Sequence, residues 1–344
     1  MIVDQLKSIL IHDAPGEFRA VAIDQAGLPW RLFSQRWKGD KEPAQVGQIL
    51  SGRLRASAVA QGGAFVSLDN GEDVFLSGAD LSGITLGMAV HVIIRAQARQ
   101  GKLARAALTT AAPSPFDAYA TWRNNLPGGA DLPEISDRDS VASAFDEAQQ
   151  SQVVLTGGGR LHIEHTRALT AMDVDSAGRI SKGSAGARAL SINRDAAREA
   201  ARQITLRDIG GAVVLDCVDP LNKLAGDQVR DEFASACKTA TQRKVQVFSP
   251  SRFGLMQVAI EWGSCPIVDR IAMDTAAGLF AALREVERAA EADGAGLFRI
   301  DLSSDDSSAY LSCQSLCDSM LAARFGGRVS ISKSNNDVTV VRRK

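Results

Sequence analysis

No run of about 18 apolar residues occurs in this chain, so the sequence predicts no membrane-spanning helix. Charge of one sign is equally lacking. The chain has 39 lysines and arginines against 40 aspartates and glutamates, a formal net charge of −1. That balance excludes a general affinity for polyanions, so any nucleic-acid surface must be local. No secretory signal is expected at the N-terminus, because Asp4 and Lys7 interrupt its apolar residues. Cysteine is sparse and odd in number: Cys217, Cys237, Cys265, Cys313 and Cys317. This favours a reduced, cytoplasmic setting over a disulfide framework. Cys313 and Cys317 are spaced as CxxxC, but no second Cys/His pair lies near, and helical periodicity there predicts two buried thiols. Nucleophile elbow, Walker loop and GxGxxG are all missing. The glycines at 157–159 precede a strand and open no helix.

What is present has the composition of an ordinary globular protein, 45% hydrophobic and 23% charged over 344 residues. That length suits two or three domains. The mixture of strand and helix signals predicts an α+β (mixed α/β) fold. Residues 1–40 are expected to be β structure, with a hairpin over 17–34. Residues 41–110 contain about five short strands punctuated by Gly62-Gly63 and Asn70-Gly71, which predicts a small closed barrel of the OB type. Four of the ten prolines fall in 111–150, which is expected to be a linker with one short helix. A central domain is expected over 151–265, and a C-terminal α/β subdomain over 266–344. Within the central part, 160–166 and 168–176 alternate as a tight hairpin. A Gly/Ser-rich loop follows over 180–187, then a helix over 194–207 with Asn193 as its N-cap. AVVLDCV is nearly all apolar, the pattern of a buried strand. A second helix is expected at 227–238, then helices over 275–292 and near 308–325, with strands following each of the last two.

Two strands carry acids. Asp173 lies in TAMDVD and Asp216 in VVLDCV. A carboxylate in an apolar strand is costly unless paired, protonated or bound to a cation. Two of them facing one cavity would make an oxygen-ligand site for Mg²⁺, which accepts one or two carboxylates and keeps water. Asp175, two residues after Asp173 and on the same face, adds a ligand or orients that water. Arg202, Arg207 and Arg252 are candidates to neutralise phosphates. The alternative is that the aspartates are solvated strand-end residues. His162 and His165, three apart on one strand, point to opposite faces and are expected to be ordinary strand residues. In the barrel, Phe65 and Phe75 lie on neighbouring strands amid Arg53, Arg55, Arg95, Arg99, Lys102 and Arg105. The rings are either barrel core or a stacking platform for single-stranded nucleic acid.

The stretches GGRLHIEHTRALTAMDVDSAGR, ARQITLRDIGGAVVLDCVDP and SPSRFGLMQV together resemble the catalytic core of the ribonuclease E/G family, single-strand-specific, Mg²⁺-dependent endoribonucleases. The resemblance implies an OB-type RNA-binding barrel inserted near the N-terminus of a ribonuclease-H-like/DNase-I-like core. It implies that Asp173 and Asp216 hold a catalytic Mg²⁺, that Phe65 and Phe75 stack RNA, and that Lys102 grips it. An RNA-binding protein of the same family with weak or lost catalysis is the alternative. Three departures stand out. Asp175 replaces the family's asparagine. The zinc-binding CPxC pattern survives only as Cys265-Pro266, with Val268 at the second cysteine position, so a zinc-bridged oligomer is not expected, whereas a homodimer remains open. The segment between barrel and core is short, which implies loss of the region sensing an RNA 5′ phosphate.

Overall fold

The computed structural model describes residues 6–36, 43–78, 83–179, 182–333 and 338–343. Asp4, the first two positions of the loop at 180–187 and the start of the last expected strand lie outside them. The described chain begins with an antiparallel meander, β1 (Leu6–Ala14), β2 (Glu17–Asp24) and β3 (Pro29–Arg36). The hairpin expected over 17–34 is β2–β3, with β1 added in front. A barrel follows, made of β4 (Ile49–Ala58), β5 (Gly63–Leu68), β6 (Asp73–Ser77), β7 (Ala89–Ala96) and β8 (Ala104–Thr109). It closes in the order β4-β5-β6-β8-β7, consistent with an OB-type barrel. Alternate residues fill its interior, among them Ala64, Val66, Val74, Leu76, Val92 and Ile94.

The segment 111–150 is more than a linker. It forms α1 (Ala118–Asn124), β9 (Glu134–Ser136) and α2 (Arg138–Glu147). Strand β9 pairs parallel to β1 and completes a four-stranded sheet, β3-β2-β1-β9. Trp122 of α1 is buried with Trp30 and Phe33, and Phe145 of α2 with Leu10 and Leu32. Prolines break the local periodicity without preventing the pieces between them from packing.

The central sheet has six strands: β10 (Gln152–Val154), β11 (Arg160–His165), β12 (Thr170–Asp175), β13 (Gly211–Asp216), β14 (Val245–Val247) and β15 (Leu255–Ile260). Their order is β10-β11-β12-β13-β15-β14. Only β12 and β13 run parallel, joined through α3 (Ala185–Leu206). This helix starts earlier than the expected 194. Ser184 caps it by accepting from Ala187 N–H, and Asn193 lies within it. With α4 (Lys223–Ala240), α3 covers one face of the sheet. Ile192, Ala196, Ala200 and Ile204 of α3 and Val229 and Phe233 of α4 meet Met172, Leu215 and Val258 there.

Beyond it come α5 (Ile267–Met273), α6 (Ala277–Ala292), β16 (Leu297–Leu302), α7 (Ser304–Ser312), α8 (Gln314–Phe325), β17 (Val329–Lys333) and β18 (Thr339–Arg343). The expected single helix near 308–325 is split at Cys313, which caps both halves. Cys317 is buried as expected, but Cys313 is only half-buried. The three strands form a sheet β17-β16-β18 against α6. Among the described residues no helix is long and apolar enough to cross a membrane.

Candidate metal centre and nucleic-acid interface

Strand register places the two aspartates together. Asp173 on β12 is the direct partner of Asp216 on β13, and neighbouring strands lie about 4.8 Å apart. The row continues on either side, with His162 opposite Asp173 and Leu255 opposite Asp216. The expectation of buried carboxylates is corrected here. Both aspartates are exposed, because α3 and α4 cover only the face that carries Met172 and Leu215. On β13 the burial alternates, with Val213 and Leu215 inside and Ala212 and Asp216 outside. An apolar strand sequence reports the covered face and leaves the other undetermined.

The electrostatics suit a cation. Some desolvation against its strand, and the charges of Asp173 and Asp219, push the Asp216 carboxyl above its usual range although it is exposed. Among the described residues no arginine or lysine pairs with Asp173 or Asp216. No ready-made group of three or more His, Cys, Asp or Glu ligands is present there either. Two adjacent carboxylate ligands with room for water match what Mg²⁺ accepts. Asp175 shares their face, half-buried, with Oδ1 accepting from Ala177 N–H at 2.8 Å and Arg160 as its cross-strand partner.

The loops around Asp216 are held from two sides. Asn193 is fully buried; its Nδ2 donates to Val218 O and its Oδ1 accepts from Val218 N–H, each at 2.9 Å. This reciprocal pair fixes the chain two residues after Asp216. From the other side, Cys217 N–H donates to Gly254 O at 3.1 Å, docking the turn 251–254. Gly254 has φ +80°, and a Cβ there would lie 3.0 Å from Cys217 O and 3.8 Å from Asp216 Oδ1, so the turn needs glycine. The same turn carries Arg252 and Phe253. Arg252 is exposed, its guanidinium 5.0 Å from the Phe253 ring centre. Phe253 is 71% exposed, an unusual setting for a phenylalanine. Sequence reasoning passed over Phe253, took Asn193 for a helix cap, and set His162 aside by comparing it with His165 when its relevant neighbour lies on β12.

Arg202 and Arg207 are not part of this surface. Arg202 is 6% exposed and bonds Glu147, Glu199 and Pro29 O. Arg207 is 1% exposed and donates to Gln203 Oε1, Gln150 O and Glu147 O. Burial pushes its guanidinium down to about 10. Both tie α3 to α2, so neither presents its charge to a phosphate. Their position, Arg202 on the buried side of α3 and Arg207 at its C-terminal cap, decides this.

On the barrel, Phe65 and Phe75 are cross-strand partners, half-buried on the outer surface, with ring centres 5.3 Å apart edge to face. The interior reading of these rings is overturned, since Ala64, Val66, Val74 and Leu76 fill the interior instead. Gly63 permits the pairing, because a Cβ there would lie 2.0 Å from Leu76 O and 2.6 Å from the Phe75 ring. Arg105 continues the row as the partner of Phe75. Lys102 is exposed at the β7–β8 turn, backbone-paired with Arg99. The Arg99 guanidinium lies 3.7 Å over the Trp262 ring. Cys265, the remnant of the CPxC pattern, is buried, its thiol pushed up to about 12 by burial, and its N–H donates to Gln97 of the barrel.

Residues 118–261 match the model of the ribonuclease E/G family. Ribonuclease E of Haemophilus influenzae is 37% identical over 119 residues, and that of Escherichia coli 35% over 119 residues. Each alignment covers 35% of this chain, but only 13% and 11% of those relatives. A chloroplastic ribonuclease E/G-like protein of Arabidopsis thaliana is 38% identical over 126 residues, 36% of this chain and 12% of the relative. The chain thus matches a small part of the length of these relatives, and the barrel lies outside the family match. The chain resembles the ribonuclease E/G family, and the resemblance resides in the segment that sets Asp173 beside Asp216.

Proposed function

We propose that this protein is a Mg²⁺-dependent endoribonuclease that cleaves single-stranded RNA in RNA processing or decay. The observation that carries the reading is the register pairing of Asp173 with Asp216 on the open face of the central sheet, inside the family match. On this reading the sheets outside the barrel contain the family's ribonuclease-H-like/DNase-I-like catalytic core. Asp173 and Asp216 hold the ion, and Asp175 orients a water beside them. Bound Mg²⁺ would lower the pKa of that water and offset charge on the phosphate under attack. Arg252 offers a guanidinium to the same phosphate from the turn that docks against Cys217. Phe253 on that turn, and Phe65 with Phe75 on the barrel, supply ring faces for unpaired bases, while Lys102 and Arg105 attract the backbone.

End-labelled single-stranded RNA, incubated with the full chain with and without Mg²⁺, tests this. Cleavage is expected only with Mg²⁺ and is expected to be lost in Asp173→Ala and Asp216→Ala. Cleavage surviving in both variants would overturn the site. RNA binding without cleavage by the unsubstituted chain would favour an RNA-binding protein that has lost catalysis, for which the extra charge of Asp175 is the motive.

A further inference from the structure

A second concave site lies away from the aspartates. A cavity of about 870 Å³ opens between the four-stranded sheet, α2, α5 and α6, and none of its lining residues comes from the six-stranded sheet. Six arginines line it: Arg19, Arg36, Arg138, Arg270, Arg284 and Arg288. They face four carboxylates, those of Glu17, Asp146, Asp274 and Glu285.

The pairing inside the cavity is incomplete. Glu17 takes two arginines, Arg284 at 2.5 Å and Arg19 at 3.0 Å. Burial pushes the Glu17 carboxyl up, but Arg19 and Arg284 outweigh it and hold the group below the usual carboxylate range. Arg36 pairs with Asp274, and Arg138 turns outward to Asp139 and Glu291. The guanidiniums of Arg270 and Arg288 have no hydrogen-bond or ion-pair partner among the described residues. Arg19 Nε is buried and lacks an aligned acceptor. Arg284 is pushed down to about 10, first by burial and then by the neighbouring charge of Arg19. With Arg138 paired outward, five arginines face four carboxylates among the described residues, and arginines crowded at this density repel one another until an anion enters.

We propose that this cleft binds a small phosphate-bearing anion. The guanidiniums of Arg270 and Arg288, left without a side-chain partner among the described residues, can each take an oxygen of a phosphate monoester, which carries −1.5 to −2 or so. Guanidinium forks supplied to one cleft by β2, α5 and α6 suit the several acceptor oxygens of such a group better than a single carboxylate. The volume falls in the usual range for small-molecule sites, roughly 300–1,000 Å³, so the phosphate arrives on a compact organic body or as diphosphate. Because the cleft is walled by elements from both ends of the chain, its ligand would also stabilise their association.

Calorimetric titration of the full chain with diphosphate, in EDTA and at constant ionic strength, tests the site without any metal. Saturable binding at one site is expected, together with a rise in melting temperature. Arg270→Ala/Arg288→Ala should weaken binding by at least roughly tenfold, since two charge-assisted contacts are lost. Asp173→Ala should bind as the unsubstituted chain does. Arg270→Lys/Arg288→Lys keeps the charge and should fall between. No saturable binding by the unsubstituted chain, or equal binding by both paired variants, would overturn the proposal. A variant that binds less must also show the unsubstituted circular dichroism, and if the alanine pair does not fold, an unchanged affinity in the lysine pair and in Arg288→Ala overturns it.

Discussion

Asn193 ties a buried amide to both backbone groups of Val218, two residues after Asp216. Asn193→Ala leaves the half-buried N–H and C=O of Val218 without their partner, which costs about 1–3 kcal/mol at most. Urea unfolding should show that loss, and RNA cleavage should fall while RNA affinity holds. Cleavage at the unsubstituted rate in the folded variant would count against the clamp. The thiols give a pH dependence. Burial pushes Cys217, Cys237 and Cys317 up to about 12, with like-signed neighbours adding for Cys217 and Cys317. An unfolded thiol titrates near 8.5 or so. The folded state therefore keeps protons that the unfolded state releases. Their contribution is complete below the unfolded value and is lost as pH rises from there toward 12. Urea midpoints should fall between about pH 8 and pH 10, and a flat profile would refute the burial argument. Half-buried Cys313 should be the first of the five thiols to alkylate at neutral pH. The identity of the aspartate pair could be read from the sequence at this scale, but its exposure could not. Period-two alternation says which residues share a face and is silent on what covers it. The same limit separated exposed Arg252 from buried Arg202 and Arg207, whose surroundings come from helix α2, far away in sequence.

Strands β5 and β6 meet across the Phe65–Phe75 pair, and Gly63 is what lets them approach. Gly63→Ala would drive a methyl group into Leu76 O and should destabilise the barrel by about 1–3 kcal/mol or more, weakening RNA binding with it. Phe65→Ala should behave differently. Because the ring lies outside the barrel core, affinity for single-stranded RNA should drop by roughly 1–3 kcal/mol while the melting temperature stays within a few degrees. Unfolding of the barrel in that variant would restore the interior reading. Hairpins such as β2–β3 and β11–β12 followed directly from alternation and turn residues, since both signals are local. The first turns of α3 did not. Gly186 and Ser191 dilute its periodicity, and the packing of Leu190 and Ile192 on the sheet reveals the helix.

The chain knits its ends together. His12 and Arg324 both meet Glu287, and Arg324 also bonds Asp13, so β1, α6 and α8 share one polar knot. None of this was visible in sequence, because each partner lies some 275 or more positions from another. The proline-rich segment 111–150, which by composition alone suggested a tether, supplies a strand and two helices for the same reason. On the proposed function, and with the 5′-sensing region lacking as the resemblance implies, RNAs with a 5′ hydroxyl and a 5′ monophosphate should be cut at equal rates, and a strong monophosphate preference would sink that idea. The barrel, finally, is bolted to the far end of β15. Gln97 N–H donates to Gly263 O at 2.9 Å, Gln97 Oε1 accepts from Cys265 N–H, and Arg99 covers Trp262. Asp216 pairs with Leu255 at the other end of that strand, a span of roughly 20 Å for six residues. On the proposed function, the holding surface and the cutting pair are therefore kept at a set offset, and the molecule measures its substrate. An RNA shorter than that offset can be gripped or cut but not both, so turnover should rise abruptly at a threshold oligonucleotide length.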